Sequence, residues 1–275
     1  MQLYFVRHGQ SENNLLWEIH GHELGRSDDP DLTERGQLQA QAVANLIASG
    51  HPQYPCLGNP GGFGITHVYS SLMVRAAATG HAIAEQLDLP LTAWPEVHET
   101  GGIYHDIDDQ QVGQQGKTRS YLQERFPRLV LPGWVDENGW WNRPFEERPE
   151  RIVRARKVVE QLYERHGGTE DRVVMVSHGG FYNYLLAALM DLPARNPVWY
   201  LLNNTAISRI DFDRDEVLVV YQNRIDHLGP DLLSKSQELA KVSPLWHAAL
   251  VFLNEVKNLA LKVQCWILRT QAPSG

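Results

Sequence analysis

The chain has 275 residues, 43% of them hydrophobic, and a formal net charge of −8. That length buries a substantial core, as one large domain or two small ones. The acidic balance excludes general nucleic-acid binding, which draws affinity from basic surfaces, although a few local arginines still suffice for a small anion. Cys56 and Cys265 lie far apart without metal-ligand spacing and read as reduced thiols of a cytoplasmic protein. There is no signal-peptide pattern at the N-terminus and no apolar run long enough for a transmembrane segment.

In chain order, residues 3–6 form a short apolar run that reads as a buried strand. It ends at Arg7 and His8, with Gly9 next. Adjacent side chains of an extended strand point to opposite faces, so Arg7 and His8 share one site only if the chain bends there. Gly9 allows a bend because it tolerates backbone angles that other residues avoid. Ser11 is placed to cap a helix with Glu12 in its first turn. An arginine and a histidine where a strand feeds a helix suit an anion.

Thr33 is placed to cap a second helix, in which Leu38, Ala42, Val43, Leu46 and Ile47 recur at helical spacing and Gly50 is the stop. Residues 51–64 read as a Pro- and Gly-rich loop. A strand over 66–70 turns through Ser71, Met73 and Arg75 into a helix that ends near Gln86, and a short third strand spans 91–94. Glu99 follows, beside a Gly101-Gly102 turn. Residues 100–150 lack a regular pattern, as binding loops and lids do. Their Trp134, Trp140, Trp141 and Phe145 suit a ring-bearing substrate as well as a core. Ile152, Val153, Ala155, Val158, Val159, Leu162 and Tyr163 trace one face of a helix that Gly167-Gly168 ends. Residues 172–176 are the clearest buried strand. They stop at Ser177-His178-Gly179-Gly180 and turn into an apolar helix over 182–190. Strands over 207–212 and 217–221 flank Asp213-Arg214-Asp215, which suits a hairpin.

Strands alternating with helices predict a three-layer α/β/α sandwich with a mostly parallel sheet and an antiparallel edge. In such sheets the ligand crevice lies at the carboxyl ends of the strands. Arg7, His8, Arg75 and His178 all fall at strand-to-helix junctions, so two arginines and two histidines meet one crevice. Arginine forks match phosphate oxygens. A neutral imidazole can attack phosphorus and form a phosphohistidine, and surrounding cations favour its neutral form. The leaving alkoxide then needs a proton from a carboxylic acid, for which Glu99 is the candidate and Glu96 its neighbour.

Four motifs stand in order: Arg7-His8-Gly9 with Ser11 and Asn14; Leu32-Thr33-Glu34-Arg35-Gly36; Ser71-x-Met73-x-Arg75-Ala76-x-x-Thr79; and Ser177-His178-Gly179. On these the chain resembles the histidine phosphatase superfamily over residues 1–228. Asn203-Asn204-Thr205 and residues 223–228 look like that family's closing strands. The resemblance implies a phosphoglycerate mutase-like fold, with His8 as nucleophile and Arg7, Arg75 and His178 as the phosphate pocket. It implies Glu99 as proton donor and later base, with Asn14 and the Gly179 N–H assisting. It implies a small phosphorylated substrate and no metal or organic cofactor, and it leaves a homo-oligomer admissible. The mutase branch carries an Arg-His-Tyr-Gly string after the acidic residue. Here Thr100-Gly101-Gly102-Ile103 follows Glu99, which favours a phosphomonoester hydrolase. A phosphoglycerate mutase and a non-catalytic phospho-ligand-binding protein are the alternatives.

Several groups read as structural. His20-Gly21-His22 is a polar loop, with a metal site as its alternative. Residues 58–64 are a flexible loop, not a nucleotide cradle. Asp28, Asp29 and Asp31, with Asp106, Asp108 and Asp109, are solvated turn residues. Beyond the resemblance, 229–244 reads as a polar linker. Ala249, Phe252, Val256, Leu259, Val263 and Trp266 trace a helical stripe within 245–269, suited to docking on the domain or a partner subunit, with surface membrane association and a poorly ordered extension as the alternatives.

Overall fold

The computed structural model describes residues 1–22, 25–50, 61–108, 110–193, 198–213 and 216–234. Cys56, Cys265, Asp109, Arg214, Asp215 and the stripe within 245–269 lie outside the described residues. The chain runs β1 (Gln2–Arg7), α1 (Glu12–His20), α2 (Glu34–Ser49), β2 (His67–Ser70), α3 (Val74–Leu87), β3 (Leu91–Ala93), β4 (Tyr104–Ile107), β5 (Gln110–Gly113), α4 (Arg119–Arg125), β6 (Leu129–Val130), α5 (Arg148–His166), β7 (Arg172–Ser177), α6 (Gly179–Leu189), β8 (Ile207–Phe212) and β9 (Val217–Arg224).

Seven strands form one sheet in the order β6-β3-β2-β7-β1-β8-β9. Strands β6 to β1 are parallel, and β8 and β9 close one edge antiparallel. The period of two along a strand decides which side chain enters which layer. Tyr4, Val6, Val174 and Val176 enter a core with α2 and α3. Leu3, Phe5, Val173 and Met175 enter a second core with α5 and α6. Both faces are therefore covered, and β1 and β7 can be apolar throughout.

Helix ends follow the caps. Ser11 and Asn14 form a reciprocal capping box on α1, Thr33 Oγ1 accepts from Gly36 N at 3.0 Å, and Gly50 ends α2. The inward face of α2 differs from the apolar count. Leu38 is 54% exposed, whereas Gln39 is fully buried. The Gln39 side chain accepts from Gln10 N and donates to Leu232 O and Ser234 Oγ, so burial leaves its amide satisfied. These bonds also seat residues 232 and 234, the start of the expected linker, against α2. On α5 the buried stripe is narrower than expected: Ile152, Ala155, Val158 and Leu162 are inside, and Val153 and Tyr163 are exposed.

Gly9 has a physical reason different from the expected one. It takes no positive φ. Instead a Cβ on Gly9 would lie 2.5 Å from Gly36 O, and one on Gly36 would lie 2.1 Å from Gln10 O. The two glycines let the loop after β1 cross the first turn of α2 in backbone contact.

The irregular stretch resolves into the β4–β5 hairpin, α4 and the two-residue edge strand β6. Trp140 and Trp141 are buried there as an edge-to-face pair at 5.6 Å, so they fill core, while Trp134 is exposed. Asn203-Asn204-Thr205 forms a turn ahead of β8 and not a strand. Among the described residues no helix is long and apolar enough to cross a membrane.

Candidate active site

Three parallel strands bring three junctions together. Arg7 pairs with Ser177 and Ser70 with Val176, so β1, β2 and β7 end side by side. Each then turns into a helix, and the N-termini of α1, α3 and α6 meet at one end of the sheet, a favourable place for an anion. The backbone around His8 is held from two sides. His8 N donates to Ser177 O, and His8 O accepts from Thr205 N and from Asn204 Nδ2 at 3.1 Å.

Arg7, His8, Arg75 and His178 are all buried at this end. His8 Nδ1 lies 2.7 Å from Gly9 O. A carbonyl can only accept, so Nδ1 carries the hydrogen and Nε2 keeps its lone pair. Arg75 Nε donates to that Nε2 at 3.2 Å. The His8 and His178 rings are 5.0 Å apart. Burial pushes the His8 pKa well below 6.5, and the charges of Arg75 and Arg7 push it further. His178 is lowered in the same way, by burial and then by Arg75 and the neighbouring histidines. Arg7 Nη1 donates to Leu202 O. Both ring nitrogens of His178 and Arg75 Nη1 are buried without a hydrogen-bond partner. Such groups are costly unless something polar meets them.

Glu99 lies across from these groups at the start of α6. Its Oε1 accepts from Thr100 N at 2.7 Å and Phe181 N at 3.0 Å, and its Oε2 accepts from Gly180 N at 3.2 Å. Its charge reaches Arg75. A Cβ on Gly180 would stand 2.3 Å from Glu99 Oε1, so only glycine leaves the carboxylate room on this helix end. Glu96 is elsewhere, with its carboxylate 3.7 Å from Lys157 Nζ. The segment bearing Glu99 is clamped from α5. Arg154 forks onto buried Glu146 and donates to Glu96 O and His98 O, and Glu146 accepts from Gly101 N. His98 packs edge-on to Trp141 at 4.6 Å.

Asn14 is reached through its oxygen, which accepts from Ser11 N and from Asn204 Nδ2 at 3.0 Å. Its amide nitrogen is the atom it can offer an anion. Gly179 opens α6, and a Cβ there would be 3.7 Å from Arg7 Nε, so its N–H is at the pocket.

Asp29 is a residue that the turn reading missed. It is 5% exposed, accepts from Val74 N at 2.9 Å, and lies 3.8 Å from Arg75 Nη1. It thus caps α3 and orients the arginine of that helix. Only the partner 46 positions away on the chain reveals this (residue 75 minus residue 29). Asp28 and Asp31 keep partly exposed turn positions and accept from the following backbone N–H. Burial pushes the Asp29 pKa up to about 6, against the pull of Arg75. The folded state then holds a proton that the unfolded state has lost, so this group's contribution to stability falls as pH rises from 3.8 to about 6. The stability difference between wild type and Asp29→Asn is expected to fall by about 3 kcal/mol across that window. Urea unfolding at several pH values measures it, and a flat difference counts against the buried proton.

His20 and His22 stack at 5.5 Å. Among the described residues, the one group spaced for a metal ion is His67, His166 and Asp171, at the opposite end of the sheet. There His166 is already satisfied by Asp171 and by Tyr69 OH.

With this geometry in hand, the comparisons are specific. The family model described as "Histidine phosphatase superfamily (branch 1)" matches residues 3–225. A relative from Photorhabdus laumondii, named "Probable phosphoglycerate mutase GpmB", is 28% identical over 244 residues, covering 86% of this chain and 99% of its own. A Proteus mirabilis relative of the same name is 28% identical over 213 residues, covering 77% of this chain and 85% of its own. Among solved structures, a phosphoserine phosphatase mutant from Entamoeba histolytica in complex with phosphoserine superposes with a TM-score of 0.52 at 20% identity, covering 82% of this chain and 98% of its own. A mycobacterial glucosyl-3-phosphoglycerate phosphatase gives 0.52 at 22% identity, covering 81% and 98%. At these identities the two structures speak to the fold.

Proposed function

The chain belongs to the histidine phosphatase superfamily, and from that premise we propose that it is a metal-independent phosphomonoesterase working through a phosphohistidine on His8. One observation carries the reading. The Gly9 carbonyl fixes the hydrogen on Nδ1, leaving the Nε2 lone pair among Arg7, Arg75 and His178. A phosphate on the arginines displaces the Arg75 Nε contact and meets Nε2 directly. The Nε2 lone pair then forms the N–P bond while the ester P–O bond breaks. Charge gathers on the three transferring oxygens, where the two guanidinium groups, the His178 N–H and the Gly179 N–H stabilise it. Asn14 adds a donor.

Glu99 gives the leaving alkoxide its proton. We assign that proton to Oε2, whose single contact is 3.2 Å long. Once the alcohol has left, the Glu99 carboxylate takes a proton from water as the water attacks phosphorus, the N–P bond breaks, and His8 is restored.

Hydrolysis is favoured over mutase action by Thr100-Gly101-Gly102-Ile103 after Glu99. The curated relatives' names favour the mutase reading. Phosphorus NMR of the wild type with phosphoglycerate and other phosphate esters, in the presence of a chelator, separates the two. Inorganic phosphate is the expected product. Isomerised phosphoglycerate with little free phosphate moves the assignment to mutase.

A further inference from the structure

The loop that carries His8 is held by a closed circuit of hydrogen bonds whose direction is set at both ends by backbone. Gln10 N can only donate, and it donates to Gln39 Oε1 at 2.8 Å. That turns the Gln39 amide nitrogen the other way, to Leu232 O at 2.6 Å and Ser234 Oγ at 3.1 Å. At the far end His8 O can only accept, and it takes Asn204 Nδ2 at 3.1 Å. Nδ2 also donates to Asn14 Oδ1 at 3.0 Å, and Asn204 Oδ1 faces Ser234 Oγ at 2.8 Å. Between Gln39 and Asn204 stands a single atom, the Ser234 oxygen. It must accept from a nitrogen on one side and donate to an oxygen on the other, and a hydroxyl does both.

Gln39 and Asn204 are buried and Ser234 is half-buried, so water replaces a lost bond poorly here. The turn bearing Asn204 is held in a rare shape. Thr205 has a φ of +55°, left-handed backbone that a β-branched residue seldom takes. That turn brings Asn204 Nδ2 and Thr205 N together on His8 O. Two features of the phosphate site depend on it. One is the seat of the His8 peptide. The other is the orientation of Asn14, whose oxygen is taken by Ser11 N and Asn204, leaving its amide nitrogen for an anion. Ser234 itself lies beyond residues 3–225, the span of the family model.

Resting on the phosphohistidine reading, we propose that Ser234 is a positioning residue for the phosphoryl step. Acting through Asn204, it holds the His8 peptide in place and keeps the Asn14 amide nitrogen turned to the phosphate. Residues 232–234 are then a working part of the site and not the start of a passive linker.

The test is a double-variant cycle on the full chain with p-nitrophenyl phosphate. Ser234→Ala should lower kcat/KM about threefold to tenfold, the effect of one neutral hydrogen bond. Ser234→Thr keeps a hydroxyl and should stay within about twofold of wild type. Asn204→Asp sets a carboxylate oxygen against His8 O and Asn14 Oδ1, and should cost about tenfold to a hundredfold. A carboxylate has no nitrogen end to orient, so adding Ser234→Ala to Asn204→Asp should cost less than about a further twofold. Additive losses, a loss in Ser234→Thr equal to that in Ser234→Ala, or a lowered thermal midpoint with unchanged kcat/KM each overturn the proposal. Calorimetric binding of inorganic phosphate to His8→Ala, with and without Ser234→Ala, reads the Asn14 end without turnover, and weaker binding is expected. If the wild type releases phosphate from no ester while Ser234→Ala still weakens phosphate binding, the phosphatase reading fails and the hold of Ser234 on the anion site stands. If turnover is present and Ser234→Ala matches wild type in both measurements, the role of Ser234 fails alone.

Discussion

With His8 replaced by alanine, phosphate release is expected to fall about 10⁴-fold or more, as it does when a covalent nucleophile is removed from an otherwise intact site. The His8 ring makes two polar contacts, with Gly9 O and Arg75 Nε. Neither ties distant parts of the fold together, because Arg75 keeps Asp29 and Met73, and the His8 backbone keeps Ser177, Asn204 and Thr205. The thermal midpoint should therefore move by only about 4–8 °C, the effect of roughly 1 kcal/mol in a small domain, or less in one of this size. Substrate should still bind, since Arg7, Arg75 and His178 remain. Rapid quenching with radiolabelled ester should trap an acid-labile phosphoprotein in wild type and none in the variant. Phosphate release that survives the substitution sinks the mechanism. The pH profile adds a separate check. A free histidine nucleophile loses activity below about 6.5 as it takes a proton. Burial, with Arg75 and Arg7, holds His8 well below that value, so kcat/KM should show no acid limb near 6.5 from this group.

Much of the frame could be read from the chain because it rests on local signals. The apolar runs of β1 and β7 alternate into two cores, and Thr33, Ser11 and Gly50 cap where their side chains or lack of one require. Arg7, His8, Arg75 and His178 could be placed together because each lies where a strand turns into a helix, and parallel strands align those junctions. What could not be read depends on partners far along the chain. Asp29 looks like any turn aspartate until Val74 and Arg75 arrive beside it. Gln39 looks solvent-facing until Gln10 and Leu232 satisfy its amide. Arg154 and Glu146 carry no sequence pattern that pairs them, yet they form a buried pair that fixes the Glu99 segment. The tryptophans of 100–150 carry no periodicity, so their choice between core and cleft was open. Trp141 against His98 and Trp140 shows that these two chose the core, while Trp134 stays exposed.

Glu99→Gln should separate the two halves of the reaction. An alkyl phosphate needs a proton on its leaving oxygen, so its kcat/KM is expected to drop about 10²- to 10⁴-fold, the range of a lost general acid. p-Nitrophenyl phosphate leaves as a stable phenolate and needs little help. Its kcat/KM reports only the first phosphoryl transfer and should drop less than about tenfold on the same argument. Its kcat should still suffer, because the same residue activates water in the second step. A burst of one equivalent of nitrophenol followed by slow turnover is the expected signature. Gly180→Ala should reproduce this pattern without altering the carboxyl chemistry. Its new methyl would meet Glu99 Oε1 at 2.3 Å and Thr100 Oγ1 at 2.9 Å, forcing the acid off the two α6 N–H groups that aim it. The glutamine oxygen keeps the Thr100 and Phe181 contacts, while its amide nitrogen gives up the Gly180 contact and the proton; the alanine keeps the proton and loses the aim. If both variants slow alkyl and aryl esters equally in kcat/KM, Glu99 shapes the pocket and another group protonates the leaving oxygen. If only the alkyl ester suffers in both, the function of Glu99 depends on its place at the head of α6 as much as on its acidity.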